Sequence, residues 1–133
     1  MPGIKPLLIG ISGGTGSGKT RFAKELISRC PRDSYIFLPQ DSYYKDLSHI
    51  SFKKRCDVNF DNPNSIAFTE LMEDLKKLMN NNSIKAPIYD YTTHTREKEF
   101  NKIYSKPIII IEGIFSLYDA KIRRLMDIKV FVD

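Results

Sequence analysis

Apolar residues along the chain fall into short unbroken runs and into spaced stripes, and the two patterns alternate. The runs cover residues 7–12, 35–38, 108–112 and 128–133, each bounded by turn residues. They lack the polar alternation of a half-solvated strand, so they predict strands buried on both faces. The stripes lie between them. Residues 19–30 place Phe22, Leu26 and Arg29/Cys30 at helical spacing before Pro31, and residues 65–79 repeat Phe68, Leu71, Leu75 and Leu78. Asn80-Asn81-Asn82-Ser83 ends that second stripe, and a third runs over roughly 120–126. Strands alternating with helices predict a doubly wound parallel α/β sheet with helices on both faces and right-handed crossovers. Residues 84–104, mixed and rich in Tyr and Thr, read as a β-hairpin insertion over the sheet edge.

Size and composition add limits. A length of 133 residues suits one domain, here residues 1–133. The longest aliphatic run, 108–111, is far short of the roughly 20 residues that cross a bilayer. The apolar stretch 7–11 runs straight into glycines and is too short for a secretory segment. Cys30 and Cys56 lie far apart without companion ligands, which suits reduced thiols in a cytoplasmic protein and argues against zinc. Net charge is +5, and the densest basic run is Lys53-Lys54-Arg55. It has no interleaved aromatics, so it reads as a solvated face or a phosphate-proximal patch. Neither a nucleic-acid nor a membrane partner is expected.

Candidate chemistry begins where the first strand ends. Gly13-Gly14-Thr15-Gly16-Ser17-Gly18-Lys19-Thr20 satisfies G-x-x-x-x-G-K-[ST] at every fixed position, after a strand and opening a helix. The glycines let backbone N–H groups point at phosphate oxygens, and the helix N-terminus adds partial positive charge. Lys19 would neutralise the β- and γ-phosphates and the Thr20 hydroxyl would coordinate Mg²⁺. The expected ligand is therefore ATP (or GTP) with Mg²⁺.

Ligands of open parallel sheets bind outside the carboxyl ends of the strands. The second strand ends at Leu38-Pro39-Gln40-Asp41 and the third at Ile111-Glu112-Gly113, so Asp41 and Glu112 project toward the γ-phosphate. One acid is wanted to orient and deprotonate an acceptor hydroxyl, the other to help hold the metal. Taken alone, Asp41 reads better as a helix N-cap, and four apolar residues before an acid is a common pattern.

Four further blocks resemble the uridine/cytidine kinases, a family of P-loop NTPases, in order and in content. They are Gln40-Asp41-Ser42-Tyr43-Tyr44-Lys45-Asp46-Leu47, Val58-Asn59-Phe60-Asp61-Asn62-Pro63, the stretch Pro87 to Arg96, and Ile111-Glu112-Gly113-Ile114. The resemblance implies ATP-dependent phosphorylation of the 5′-hydroxyl of uridine or cytidine in pyrimidine salvage. It implies Asp41 as the base and a neighbour of the metal, Glu112 as the acid near Mg²⁺, and Asp61 as the acid bonding the ribose hydroxyls. Tyr89 and His94 match the pair that reads the pyrimidine edge, and Tyr44, Phe60 and Tyr91 match residues packing around the nucleoside. A cytoplasmic homotetramer inhibited by UTP or CTP is implied for the intact protein.

Some positions depart from the pattern. Asn62 replaces a common histidine, Asn64-Ser65 an Asp-Ala pair, and Ala67 a frequent acid, while Asp61 is kept. The family continues past a Phe-Val-Asp strand into an arginine-rich helix, a lid and a last strand. Because this chain ends at Asp133, the expectation is an incomplete domain lacking the lid and C-terminal strand. From the residues alone, Tyr89 and Tyr91 could pack on the sheet, His94 could sit in a turn, and Arg96 could reach phosphate or form an ion pair. Two other functions stay open: a kinase of another small acceptor, of the phosphoribulokinase or nicotinamide riboside kinase type, and a non-catalytic nucleotide-binding module.

Overall fold

The structure is a computed structural model and describes residues 4–133. In chain order it contains β1 (Leu7–Ser12), α1 (Lys19–Ser28), β2 (Tyr35–Pro39), α2 (Phe52–Cys56), α3 (Phe68–Met79), β3 (Ile84–Asp90), β4 (Thr95–Ile103), β5 (Ile108–Glu112), α4 (Ala120–Leu125) and β6 (Ile128–Phe131). Single 3-10 turns lie at Gln40–Tyr43 and Pro63–Ser65.

β1, β2, β5 and β6 form one parallel sheet in the order β2-β5-β1-β6. Alternate residues of the central strands serve opposite faces, which is why their sequences read as unbroken apolar runs. Leu8, Ile109 and Ile111 face Leu71, Leu75 and Leu78 of α3 and Ile122 of α4. Ile9, Ile11 and Ile110 face Ala23, Leu26 and Ile27 of α1. Ile109, Ile110 and Ile111 are fully buried, each contributing about 1.5–3 kcal/mol of transfer free energy. The doubly wound architecture expected from the sequence is therefore present.

The hairpin is also present: β3 and β4 pair antiparallel, with a register shift between Pro87 and Tyr89. β3 packs against the 3-10 turn that follows β2, and β2 is an edge strand of the sheet.

Four details differ from the sequence reading. The buried stripe of α1 is Ala23, Leu26 and Ile27, whereas Phe22 is 41% exposed. The small Ala23 lets the helix approach the sheet closely, and the i, i+3, i+4 stripe then leaves Phe22 outside. α3 begins at Phe68 instead of residue 65, because Asn62 accepts from Asn64 N and stabilises the separate turn Pro63–Ser65. β6 ends at Phe131, short of residue 133. Helix α2 was not foreseen; Ser51 caps it by accepting from Lys54 N.

Candidate functional site

The phosphate-loop motif leaves β1 at Ser12 and enters α1 at Lys19. Gly18 stands at the N-cap with φ of 93°, a left-handed conformation that L side chains rarely adopt. No side chain caps this helix start, so its first backbone donors are free of a side-chain partner. The Ser17 hydroxyl is buried in the loop with no hydrogen-bond partner. A buried orphan hydroxyl normally marks a missing partner, and a phosphate oxygen would supply one.

Thr15, Lys19 and Thr20 line a cavity of about 240 Å³ together with Asp41, Tyr44, Asp61 and Glu112. Residues from across the first 112 positions thus converge on one space. Glu112 is aligned with Ile11 of β1 and Pro39 of β2, so it stands between the two strand ends. Lys19 Nζ lies 3.4 Å from Glu112 Oε1, with both side chains largely buried. Thr20, Asp41 and Glu112 bring one hydroxyl and two carboxylates to that cavity. Among the described residues no three acidic, histidine or cysteine side chains form a metal cage. Such a sparse donor set fits Mg²⁺, which keeps waters and phosphate oxygens in its shell.

Asp41 lies inside the 3-10 turn whose N-cap is Pro39. Its Oδ1 accepts from the Tyr91 hydroxyl at 2.9 Å, and its carboxylate caps no helix. The capping alternative therefore falls. Just before it, buried Gln40 accepts from Phe115 N at 2.9 Å. A Cβ at Gly113 would come within 2.7 Å of Gln40 Cβ, so glycine permits the close approach of the β2 and β5 ends. This latch sets where Asp41 and Glu112 stand.

The remaining predicted residues form an aromatic cage. Tyr44 belongs to both halves, lining the cavity and packing edge-on against Phe60 at 5.0 Å and Tyr89 at 5.2 Å. His94 stacks on Phe60 at 5.0 Å, and Tyr91 meets Tyr89 at 5.2 Å. Tyr89 is buried and its hydroxyl has no partner. Burial, then the neighbouring Tyr44 and Asp46, push its phenol up to about 12, so it remains a proton donor at neutral pH. Tyr91 lies in the hairpin turn, half-exposed, and does more than pack. Burial of its hydroxyl and its bond to the Asp41 carboxylate raise its phenol pKa. His94 takes φ of 58° at the tip, and its N donates to Asp90 O at 2.9 Å. Asp61 is exposed on the cavity rim.

Arg96 does not reach the phosphate loop. Its Nη1 pairs with Glu70 at 2.8 Å, its Nε donates to Tyr44 O at 3.0 Å, and its backbone N donates to Asp46 at 3.2 Å. It braces the hairpin against the turn that carries Asp41. Arg55, in the basic run read as a solvated face or a phosphate-proximal patch, does not line the phosphate cavity and donates to Thr93 O and Ile50 O. Sequence reasoning missed Gln40, Arg55 and the buried Tyr43–Asp74 pair. Their partners lie at least 31 residues away in each long-range contact, and no spacing motif reports them.

A phosphate loop between a parallel strand and its helix, with a hairpin beside the strand ends, defines the P-loop kinase fold. Solved structures agree: one described as a possible uridine kinase from Bacillus stearothermophilus superposes with a TM-score of 0.70 at 22% identity, over 98% of this chain and 72% of that one. D-glycerate 3-kinase from Cryptococcus neoformans gives 0.56 at 20% identity, over 84% of this chain and 43% of that one. The chain belongs to the phosphoribulokinase / uridine kinase family, whose model matches residues 8–133. Curated relatives include the uridine kinases of Clostridium novyi, 48% identical over 98% of this chain and 62% of that protein, and of Halalkalibacterium halodurans, 45% identical over 98% and 62%. The chain thus spans somewhat less than two thirds of the length of these relatives. Among the described residues no helix is long and apolar enough to cross a membrane.

Proposed function

We propose that the protein containing this chain transfers the γ-phosphoryl group of ATP to the 5′-hydroxyl of uridine, and of cytidine, with Mg²⁺ and in pyrimidine salvage. The observation that carries this reading is the single cavity shared by Lys19, Thr20, Asp41, Asp61 and Glu112, with Tyr44 as its wall toward the aromatic cage. The names of the curated relatives favour the same acceptor.

The roles follow from chemistry at that cavity. Backbone N–H groups of 13–18 and Lys19 hold the phosphates, and the orphan Ser17 hydroxyl gains a partner there. Lys19 exchanges its present Glu112 contact for phosphate oxygens. Thr20, Glu112 and Asp41 would hold Mg²⁺, which would supply neutralisation of the phosphate charge. Asp41 already accepts from one hydroxyl, that of Tyr91, and the acceptor's 5′-hydroxyl would approach the same carboxylate. Asp41 then takes the proton as the oxygen attacks in line, so positioning and charge stabilisation provide most of the rate. Asp61 would accept from the ribose hydroxyls. Tyr44, Phe60 and Tyr91 would enclose the nucleoside, and Tyr89 with His94 would read the edge of the base. The unpartnered Tyr89 hydroxyl supports that last role, because an acceptor lacking its complement would leave it unbonded.

A panel of uridine, cytidine, adenosine, nicotinamide riboside and ribulose 5-phosphate with Mg·ATP and the intact protein tests the reading. Phosphate transfer to uridine and cytidine, at a kcat/KM at least about 100-fold above the others, is expected. Transfer to none of the pyrimidine nucleosides would end it.

A further inference from the structure

The hairpin tip carries His94, and the bonds among its own residues are short-range. Its own bonds are local: His94 N to Asp90 O, Thr92 to the Asp90 carboxylate, and Thr93 to Thr95. These shape residues 92–95 locally, while the ties to the body lie to either side, from the Tyr91 hydroxyl to Asp41 and from Arg96 to Tyr44 O and Glu70. His94 moreover sits at φ of 58°, a conformation that surrounding structure must hold in place.

The tie at Thr93, next to His94, comes from α2. Arg55 Nε donates to Thr93 O at 2.9 Å, and its Nη1 donates to Ile50 O at 2.6 Å, so one guanidinium spans the tip and the loop before α2. The same guanidinium lies 5.6 Å above the Phe52 ring. Phe52 in turn lies 21° from parallel to the His94 imidazole at 6.4 Å, and Phe60 lies 22° from parallel at 5.0 Å. Phe52 is 52% exposed, and the ring it stacks on is His94 at the tip.

We propose that α2 is a clip that sets the orientation of the His94 imidazole, with Arg55 and Phe52 as positioning residues for nucleobase recognition. The proposal rests on the reading of His94 as a base-contacting residue. Arg55 suits the task because its planar fork donates to two carbonyls at once, which a lysine cannot reproduce. Neither residue lines the phosphate cavity, so ATP binding should be insulated from both.

The test compares Arg55→Met, Arg55→Lys and Phe52→Ala with wild type in the intact protein. Arg55→Met should raise the KM for uridine about tenfold with kcat and the KM for ATP within about twofold, the pattern of lost ground-state positioning. Arg55→Lys should fail to restore it, and Phe52→Ala should move the uridine KM in the same direction. The His94 imidazole resonances should shift or broaden in all three while the denaturation midpoint holds. Unchanged uridine KM and unchanged His94 resonances would overturn the clip, as would parallel losses of ATP and uridine affinity. If wild type phosphorylates no pyrimidine nucleoside, the proposed function fails, and the His94 resonances still decide whether the clip exists.

Discussion

Tyr43 follows two residues after Asp41 and is fully buried, where its hydroxyl donates to Asp74 Oδ2 at 2.7 Å. Together with Ala67 N bonding to Tyr43 O at 2.9 Å, this fastens the turn carrying Asp41 to α3. Burial raises the Asp74 carboxyl above its ordinary value, and the Tyr43 bond offsets this only in part. Burial and the adjacent carboxylate push the Tyr43 phenol far up, so it stays a donor. A raised carboxyl favours the protonated folded state. That contribution is complete below the unfolded value and is lost as pH rises through the folded one. Asp74→Asn keeps an acceptor for Tyr43 without the charge. Between about pH 4 and about pH 7 it should therefore lose less stability than wild type, measured by chemical denaturation at both values. An identical pH slope would remove Asp74 from the account. Nothing in the sequence announces this pair. Asp74 sits beside Leu75 in a stripe that reads as helix, and only Tyr43, 31 residues earlier, explains its burial.

At the scale of elements, the legible parts were those whose own hydrophobic pattern dictates them. The strands are continuous apolar runs, and α3 repeats its leucines over enough turns to reveal its face. α2 spans only five residues, too few for a period to show. In α1 the bulk of Phe22 outweighs Ala23 by eye, yet packing against a sheet selects the smaller residue. The β2–β5 latch was not legible, because Gln40 and Gly113 lie far apart in the chain. Gly113→Ala would drive a Cβ to 2.7 Å from both Gln40 Cβ and Gln40 Oε1 and disturb the bond to Phe115 N. The expected cost is about 1–3 kcal/mol in urea denaturation, the usual penalty of overpacking. Stability within about 0.5 kcal/mol of wild type would show that the strand ends adjust freely.

For the molecule as a whole, the phosphate loop and the aromatic cage are built by separate elements and meet at Asp41. The loop was legible because its chemistry demands a contiguous motif of eight positions. The cage draws Tyr44, Phe60, Tyr89 and His94 from three segments, so only a resemblance to known kinases gathered them in advance; the rings then prove to be neighbours. The braces behind them, Arg55, Arg96 and Gln40, stay silent in sequence because each bonds a distant residue. The central claim is that Asp41 serves chiefly the acceptor hydroxyl while residues 13–20 provide most of the hold on ATP. Asp41→Asn and wild type, each as the intact protein, should be compared for Mg·ATP affinity by calorimetry and for uridine phosphorylation in the same preparations. The account predicts turnover reduced about 10³-fold with ATP affinity within about threefold. Turnover retained, or ATP affinity lost in step with turnover, would contradict it.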